Sequence, residues 1–287
     1  MITRNVLILG ASGMLGSALV KYFAENDAFR VFGTFRFDEK SSRACPAGNY
    51  NKIFCVNGLD YSQLELAFKQ SRPDVVINCI GLVKQVPHAN DRILAIELNA
   101  LLPHRLVELC EMHNARLVHI STDCVFSGNK GSYTEDDHPD ALDLYGRSKQ
   151  LGEVNYSNSI TLRTSIIGHE LASSRGLIDW FLTQDREVRG FSKAVFSGLP
   201  TNELGNVIQF FVLPFPDLHG IYHVSAEPID KYQLLSLVKN VYQKHISIKT
   251  DDSIVINRSL DSTRFRNATG FLPKSWPELI QSMYDFG

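Results

Sequence analysis

The fold is decided by the stretch Val6-Leu7-Ile8-Leu9-Gly10-Ala11-Ser12-Gly13-Met14-Leu15-Gly16. An apolar run stops at a glycine, and apolar residues at helical spacing follow, which predicts a strand, a tight turn and a helix. Glycines let the backbone approach a pyrophosphate, and the amides at the start of the helix meet its charge. We therefore predict a dinucleotide-binding turn formed by Gly10, Ser12, Gly13, Met14, Leu15 and Gly16.

Strand and helix patterns alternate on both sides of this turn. The short apolar runs that predict strands are Val6–Leu9, Phe29–Phe35, Ile53–Val56, Asp74–Ile80, Arg116–Ile120 and Ile160–Ser165. The segments with helical spacing are Met14–Phe23, Tyr61–Gln70, Ala89–His113 and Leu144–Tyr156. Continuous apolar strands are typical of parallel sheets that are covered by helices on both faces. The pattern predicts an α/β fold with a doubly wound parallel sheet of the Rossmann type.

The alternation loosens after residue 165. The helices expected there are Leu177–Thr183, Glu203–Val212, Lys231–Tyr242 and Pro277–Tyr284, and one strand is expected over His219–Val224. No flexible linker separates this part from the first. We predict a cofactor-binding domain over residues 1–165 and a smaller C-terminal α/β lobe for the substrate over residues 166–287, packed closely against the first and not independent of it.

Composition narrows the classes of partner. The chain has 287 residues with 29 Lys+Arg against 31 Asp+Glu, a formal charge of −2. A basic footprint for nucleic acid or anionic lipid is therefore absent, and no apolar run approaches the roughly 18 residues of a membrane span. The five cysteines have neither an even count nor C-x-x-C spacing, which argues against a disulfide framework and a structural zinc site. We expect a cytoplasmic protein without a metal site.

Cofactor choice is expected to be set at the end of the second strand. An NAD site places an acidic residue there for the ribose hydroxyls, whereas this chain has Thr34-Phe35-Arg36. The forked guanidinium of Arg36 suits a 2′-phosphate, so the sequence favours NADPH and leaves NADH as the alternative. An exposed surface arginine remains the other interpretation. Asp60, with Tyr61 after it, either reaches the adenine or simply caps a helix.

The catalytic candidates are Tyr145 and Lys149, which are spaced Y-x-x-x-K within a predicted helix. Residues four apart lie on one helix face, and an ammonium beside a phenol favours the phenolate. Such a tyrosine can exchange a proton with a carbonyl oxygen. Upstream, a strand ends in Ser121-Thr122-Asp123, and the carboxyl ends of strands are where doubly wound folds assemble their sites.

These motifs together resemble the extended branch of the short-chain dehydrogenase/reductase family. The matching residues are Gly10, Gly13, Gly16, Asn78-Cys79-Ile80-Gly81, Asn99, Thr122, Tyr145 and Lys149. Within that branch the chain looks like the dTDP-4-dehydrorhamnose reductases. The further matches are Ser121-Thr122-Asp123, Gly131-x-Tyr133-x-Glu135, Tyr145-Gly146-Arg147-Ser148-Lys149, Leu162-Arg163-Thr164-Ser165, Pro200-Thr201 and Arg258-Ser259-Leu260-Asp261, which span nearly the whole chain.

The resemblance implies reduction of a 4-keto group on a nucleotide-linked 6-deoxysugar, in the synthesis of a surface-polysaccharide precursor. Tyr145 would protonate the new alkoxide, Lys149 would hold the nicotinamide ribose, and Thr122 would bind the carbonyl. The cofactor would also contact Cys79, Ile80 and Gly81. The substrate contacts expected from position are Lys84, Asp123, Cys124, Arg175 and Arg258, the two arginines being candidates for the diphosphate.

Two departures affect substrate identity. That reductase usually has Tyr after Ser-Thr-Asp, where this chain has Cys124, and Lys84 lies in a loop that typically carries other residues. Three alternatives therefore stay open. They are a reductase of a UDP-N-acetyl-6-deoxy-4-hexulose, a nucleotide-sugar epimerase, and a cofactor-binding regulatory subunit without catalysis. A homodimer is a further expectation that the sequence does not decide.

Overall fold

The computed structural model describes residues 3–40, 45–86 and 88–287. Seven strands form the main sheet in the order β3-β2-β1-β4-β5-β6-β11. They are β1 (Arg4–Leu9), β2 (Phe29–Thr34), β3 (Asn51–Ile53), β4 (Val75–Asn78), β5 (Arg116–Thr122), β6 (Ser159–Thr164) and β11 (Gly220–His223). The pairing is parallel between β1 and its neighbours β2 and β4, between β2 and β3, and between β4 and β5. The doubly wound α/β prediction is confirmed.

The helices alternate with these strands. Those before β11 are α1 (Met14–Ala24), α2 (Tyr61–Ser71), α3 (Arg92–Ala95), α4 (Leu102–Met112), α5 (Leu144–Leu151), α6 (Leu177–Thr183) and α7 (Thr201–Val207). Two π-helical segments, Ile96–Leu101 and Ile208–Val212, and one 3₁₀ turn, Asp123–Val125, continue neighbouring elements. The later helices are α8 (Lys231–Val241), α9 (Thr263–Thr269) and α10 (Trp276–Phe286).

Short strands make up three smaller sheets. They are β7 (Ile166–Ile167), β8 (Val188–Phe191), β9 (Ala194–Phe196), β10 (Leu199–Pro200), β12 (Ile229–Asp230), β13 (Ile248–Asp251) and β14 (Ile256–Asn257). β10 pairs with β7, β13 with β8, and β9 lies between β12 and β14. Within the described residues, no helix is both long and apolar enough to cross a bilayer.

The chain divides into two compact units that alternate along the sequence. The first contains residues 1–121, 142–162 and 217–221, and the second contains residues 122–141, 163–216 and 222–287. The apolar core of the first unit includes Leu7, Leu9, Phe68, Leu106 and Leu117, all buried. The single boundary expected at residue 165 stays a prediction.

Several predicted element ends are wrong. The helix expected over Leu144–Tyr156 ends at Leu151 and is followed by Gly152, where a Cβ would overlap the carbonyl oxygen of Asn99. The strand expected over Ile53–Val56 lies instead at Asn51–Ile53. The helix expected from Ala89 begins at Arg92, where the Asp91 carboxylate accepts a hydrogen bond from the Leu94 amide.

Candidate active site

The glycine turn after β1 fixes the start of α1. Gly10 adopts a φ of +83°, and its amide donates to Thr34 Oγ1 at 3.1 Å. A Cβ on Gly16 would overlap the carbonyl oxygen of Gly10, so strand and helix meet closely there. A Cβ on Gly13 would have only ordinary contact, at 3.6 Å from Gly10 O. The fold therefore requires Gly10 and Gly16, whereas the open side of Gly13 leaves room for a ligand against the backbone.

The first turn of α1 has the features of an anion site. Ser12 and Gly13 are exposed, and no acidic side chain lies in the first turn. The N-cap residue is Gly13, which has no side chain to accept a hydrogen bond from the amides of Met14, Leu15 and Gly16. The positive end of the helix dipole is thus available to a pyrophosphate. The residues present fit a dinucleotide at this position.

Three other residues proposed to contact the cofactor, Arg36, Asp60 and Tyr61, lie after a strand or at the start of a helix in the first unit. Arg36 is exposed two residues beyond β2, and its guanidinium carbon lies 5.0 Å from the ring centroid of Phe37. Asp60 caps α2, because its Oδ1 accepts from the amides of Ser62 at 3.0 Å and Gln63 at 3.2 Å. Its hydrogen bonds, first that from the Ser62 hydroxyl, lower the pKa of this carboxyl. The helix-cap interpretation of Asp60 is thus confirmed, and adenine contacts by Asp60 or by Tyr61, the exposed first residue of α2, stay predictions.

The loop after β4 is held by amide side chains. Asn78 Oδ1 accepts from the Ile80 amide at 3.0 Å, which turns the chain at Cys79. Burial raises the pKa of the Cys79 thiol to about 12. Gly81 packs next to Asn99, since a Cβ there would lie 3.3 Å from Asn99 Oδ1.

Asn99 joins this loop to α5, the helix that carries Tyr145 and Lys149. From the π-helical segment, its Oδ1 accepts from the Leu82 amide at 2.8 Å, and its Nδ2 donates to Leu82 O at 3.0 Å. The same Nδ2 donates to Ser148 Oγ at 3.1 Å, and Ser148 lies on α5. Asn99 is therefore a positioning residue, and its hydrogen bonds connect segments 17 and 49 residues apart.

Tyr145 and Lys149 lie one turn apart on α5. The helix is capped by Asp143, whose Oδ1 accepts from the Gly146 amide at 2.9 Å. Lys149 is buried, and its Nζ donates to the carbonyl oxygen of Ile120 on β5 at 2.7 Å. Burial lowers the pKa of Lys149 to about 8, against the opposing charge of Glu153. The lysine is thus locked in position with an ammonium that can lose its proton near neutrality.

Lys84 lies beside the tyrosine. Its Nζ is 2.9 Å from Asp143 Oδ2 and 5.4 Å from the ring centroid of Tyr145. A cation near a phenol ring contributes a weak attraction where both groups are partly exposed. The structure thus brings Lys84 to the Tyr145 side chain, and contact with the substrate stays a prediction.

The hydroxyl and carboxyl groups after β5 lie in the second unit. Thr122 Oγ1 accepts from the Cys124 amide at 3.1 Å and donates to Asp123 Oδ1 at 3.2 Å. Asp123 is buried, and this burial raises the pKa of its carboxyl, while Arg258 and Lys231 oppose the rise.

The two arginine candidates are in different surroundings. Arg258 Nε donates to Phe126 O at 2.9 Å, and its Nη1 lies 3.7 Å from Cys124 Sγ, so it lies beside the predicted substrate residues. Arg175 is exposed in the loop before α6, where its amide donates to Glu170 Oε2 at 2.7 Å. Within the described ranges it makes no hydrogen bond or ion pair with Asp123, Cys124 or Arg258.

Lys231 is a charged residue that the sequence analysis missed. It begins α8, and its Nζ lies 3.7 Å from the ring centroid of Phe196. Burial lowers its pKa to about 8, against the charges of Asp123 and Cys124. A lysine in the first turn of a helix opposes the helix dipole, and that was the one signal available in the sequence.

Comparison with known proteins gives a consistent result. The RmlD substrate binding domain family matches residues 4–285. A dTDP-4-dehydrorhamnose reductase from Aggregatibacter actinomycetemcomitans is 25% identical over 97% of this chain and 98% of its own length. A methionine adenosyltransferase 2 subunit beta from Pongo abelii is 33% identical over 92% of this chain and 79% of its own length.

The fold also has solved counterparts. The crystal structure of dTDP-4-dehydrorhamnose reductase from Bacillus anthracis in complex with NADP superimposes with a TM-score of 0.79. It covers 99% of both chains at 20% sequence identity, which shows a shared fold.

Proposed function

The chain belongs to the RmlD substrate binding domain family, and from that membership we propose that it is an NADPH-dependent reductase. Its substrate is a nucleotide-activated 6-deoxysugar with a keto group at C4, an intermediate in making a surface-polysaccharide precursor. The observation that carries the proposal is the pairing on α5, where Lys149 is fixed by Ile120 O one turn after Tyr145.

The cofactor assignment is supported by the glycine turn and by Arg36. The open face of Gly13 and the first amides of α1 suit the pyrophosphate, and an exposed arginine after β2 suits a 2′-phosphate. NADH remains the alternative donor. When bound, the nicotinamide supplies the hydride to the carbonyl carbon.

The protein residues supply orientation and a proton. Thr122 turns its hydroxyl hydrogen from Asp123 to the carbonyl oxygen and donates a hydrogen bond there, and Tyr145 gives its phenolic proton to that oxygen as the alkoxide forms. The Lys149 ammonium stabilises the phenolate left on Tyr145 and binds the nicotinamide ribose. The proton lost by Tyr145 is replaced from solvent before the next turnover.

Substrate choice is proposed to depend on the residues that differ from the reductase pattern. Cys124 replaces the usual tyrosine, and its Sγ lies beside Arg258. Asp123 and Arg258 bind the sugar nucleotide, and Lys84 and Arg175 are further contacts. The Aggregatibacter relative favours a dTDP sugar, and a UDP-N-acetyl-6-deoxy-4-hexulose is the alternative substrate.

A second candidate function is that of a regulatory subunit. It is favoured by the 33% identity to the methionine adenosyltransferase 2 beta subunit from Pongo abelii. The two functions differ in turnover, because a regulatory subunit binds its partner without reducing a sugar. The presence of Thr122, Tyr145 and Lys149 together favours the reductase.

The proposal extends to organisation and location. Residues 1–165 are proposed to bind cofactor and residues 166–287 substrate. A cytoplasmic location suits a substrate contact made by the Cys124 thiol, because thiols persist in a reducing compartment. A homodimer is the assembly state to test, by size-exclusion chromatography with light scattering.

The test is turnover of keto sugars by wild type and by Tyr145→Phe. Wild-type protein should consume NADPH with a dTDP- or UDP-linked 4-keto-6-deoxysugar, followed by nicotinamide absorbance. Tyr145→Phe should lower turnover by about 10²–10⁴-fold and still bind NADPH, because only the acid is removed. The control Tyr156→Phe removes an exposed phenol that contacts His104 and should leave turnover unchanged.

Two results would contradict the reductase. One is unimpaired turnover by Tyr145→Phe, which removes the proposed acid. The other is a wild-type protein that reduces no keto sugar yet co-elutes with a methionine adenosyltransferase catalytic subunit, which would establish the regulatory function instead.

A further inference from the structure

The ammonium of Lys231 lies among an aromatic ring, a carboxylate and a thiol. Its Nζ is 3.7 Å from the centroid of Phe196, and Phe196 packs in turn against Trp276 with ring centroids 5.5 Å apart. The acidic groups that face it are the Asp123 carboxyl and the Cys124 thiol of the 3₁₀ turn, and the Arg258 charge acts on the same Asp123. All of these residues belong to the second unit.

This ammonium lacks hydrogen-bond acceptors from the protein. Over the residues that the structure describes, Lys231 Nζ makes no hydrogen bond and no ion pair within 4.0 Å. An ammonium carries three N–H donors, and on this half-buried side chain none of them has an acceptor among the described residues. The ring of Phe196 satisfies the cation only in part. The arrangement therefore suits an oxygen atom that comes from a ligand.

The neighbouring carboxylate decides the chemistry of that oxygen. Asp123 is buried and accepts from the Thr122 hydroxyl, which leaves further lone pairs for another donor. A phosphate or carboxylate would be attracted by Lys231 but repelled by Asp123. A hydroxyl group satisfies both, because its oxygen accepts from the ammonium while its hydrogen is donated to the carboxylate.

We propose that Lys231 and Asp123 together bind one hydroxyl group of the substrate's sugar ring. The identity of the sugar rests on the proposed function. The Oγ1 atom of Thr122, which would hold the C4 carbonyl, lies 3.2 Å from Asp123 Oδ1, so the hydroxyl bound by Asp123 lies on a carbon next to C4. In a 6-deoxysugar C5 carries only the methyl group, which assigns the hydroxyl to C3. Lys231 thus selects sugars with an unmodified C3 hydroxyl.

The test compares Lys231→Met with Lys239→Met on the same helix. Methionine keeps an unbranched side chain one atom shorter and removes the ammonium with its three donors. We expect the KM for the keto sugar to rise about tenfold or more, as for loss of a charged hydrogen bond, with kcat changed less than about threefold. Lys239→Met should match wild type, and equal melting temperatures would show that the variants fold.

A substrate analogue without the C3 hydroxyl provides the second measurement. Wild type should lose about as much affinity for the 3-deoxy sugar as Lys231→Met loses for the normal one, and the variant should hardly distinguish the two. Because burial lowers the pKa of Lys231 to about 8, the wild-type KM should also rise above about pH 8 and that of Lys231→Met should not.

The outcomes separate this inference from the proposed function. If wild type reduces keto sugars and Lys231→Met keeps the wild-type KM, the hydroxyl site is wrong and the reductase stands. If wild type reduces none, calorimetric titration of dTDP-glucose and UDP-glucose still measures whether Lys231→Met binds more weakly. Equal binding by both proteins, or no binding at all, would overturn the inference.

Discussion

Two lysines have different surroundings although burial lowers the pKa of each to about 8: Lys149 is buried and Lys231 is half-buried. Lys149 Nζ is anchored on Ile120 O, which fixes the position of this lysine one helical turn after Tyr145. Lys231 Nζ lies over the Phe196 ring. Its three N–H groups have no acceptor within the described part of the chain, so they can donate hydrogen bonds to a ligand. At the residue scale, one lysine is therefore proposed for proton transfer and the other for recognition of the substrate.

The pH dependence of kcat should report Lys149. Its ordinary pKa of 10.5 is lowered to about 8, so the ammonium is present below about pH 8 and is lost above it. We expect kcat to fall as pH rises through about 8, because burial lowers the pKa of Lys149 and the Glu153 carboxylate offsets only part of that effect. The measurement is saturating turnover from pH 6 to pH 10.

The same profile in Glu153→Gln is the matched comparison. Because the Glu153 carboxylate raises the pKa of Lys149, its removal should move the fall in kcat to lower pH. A profile that stays flat from pH 7 to pH 10 would argue against a catalytic ammonium at this position.

Two glycines between β1 and α1, Gly13 and Gly16, are explained by different physical requirements. Gly16 is required because strand and helix touch there, and Gly13 is compatible with a side chain as far as the protein atoms are concerned. The φ of Gly13 is −80°, a value that any residue adopts. Packing thus accounts for one glycine, and the proposed cofactor accounts for the other.

Alanine substitution at these two positions should give opposite results. Gly13→Ala should melt within a few degrees of wild type but bind NADPH at least tenfold more weakly, because its methyl group occupies the side left open for the pyrophosphate. Gly16→Ala should lower the melting temperature strongly, because its Cβ overlaps Gly10 O. Calorimetric titration with NADPH and thermal unfolding measure the two effects, and normal NADPH binding by Gly13→Ala would contradict the assignment.

Elements with a strong apolar period were predictable from sequence. The helix predicted over Leu177–Thr183 has those bounds in the structure, and the start of α2 at Tyr61 was also correct. The early end of α5 was missed although Gly152 is a stop signal in the sequence, whereas the close approach of Gly152 to Asn99, 53 residues earlier in the chain, could not be predicted. The π-helical segments were not predictable either, since their i→i+5 bonding leaves no distinct apolar pattern.

The site was predictable to a similar extent. Tyr145 and Lys149 were found because one helix turn brings them together, and the glycine turn because it is local. The hydrogen bonds of Asn99 could not be predicted, because their partners lie 17 and 49 residues away in the chain. Asn99 itself was among the residues that match the family pattern. Lys231 was missed because its neighbours, Phe196 and Asp123, come from distant segments.

At the scale of the whole molecule, the chain passes repeatedly between its two units. Each unit is made of three separate segments. The last strand of the main sheet, β11, comes from the C-terminal part of the chain and pairs with β6 at the sheet edge. Its end is held by His223, whose Nδ1 lies 2.9 Å from Tyr133 O while Nε2 lies 3.2 Å from Arg163 Nη1. These contacts suit a neutral ring with its proton on Nδ1.

The stability of the chain should therefore fall in mild acid. Burial and the Arg163 charge lower the pKa of His223 to about 4. Between about pH 6.5 and pH 4 the unfolded chain binds a proton here that the folded chain does not, so the free energy of unfolding decreases as pH falls. The contribution of His223 to the free energy of unfolding then changes by up to about 1.4 kcal/mol per pH unit.

Urea unfolding of wild type and His223→Gln tests this contribution. The variant should be less stable at pH 7, because it loses the two contacts of the ring, but its stability should decline less steeply towards pH 4.5. Other titrating groups are common to both proteins and cancel in the comparison. Equal slopes would show that this histidine does not carry the acid sensitivity.

The π-helical segment Ile96–Leu101 has a consequence for insertions and deletions. It joins α3 to α4 in one continuous helix over residues 92–112. The wide turn holds one residue more than an α turn, so removing one residue from it would restore ordinary α geometry and leave the orientation of α4 almost unchanged. Removing one residue from α3 instead would rotate everything after it by about 100° and turn the buried face of α4, with Leu102, Leu106 and Leu109, away from the core. A deletion in the wide turn would displace Asn99, whose hydrogen bonds to Leu82 and Ser148 depend on its place in that turn.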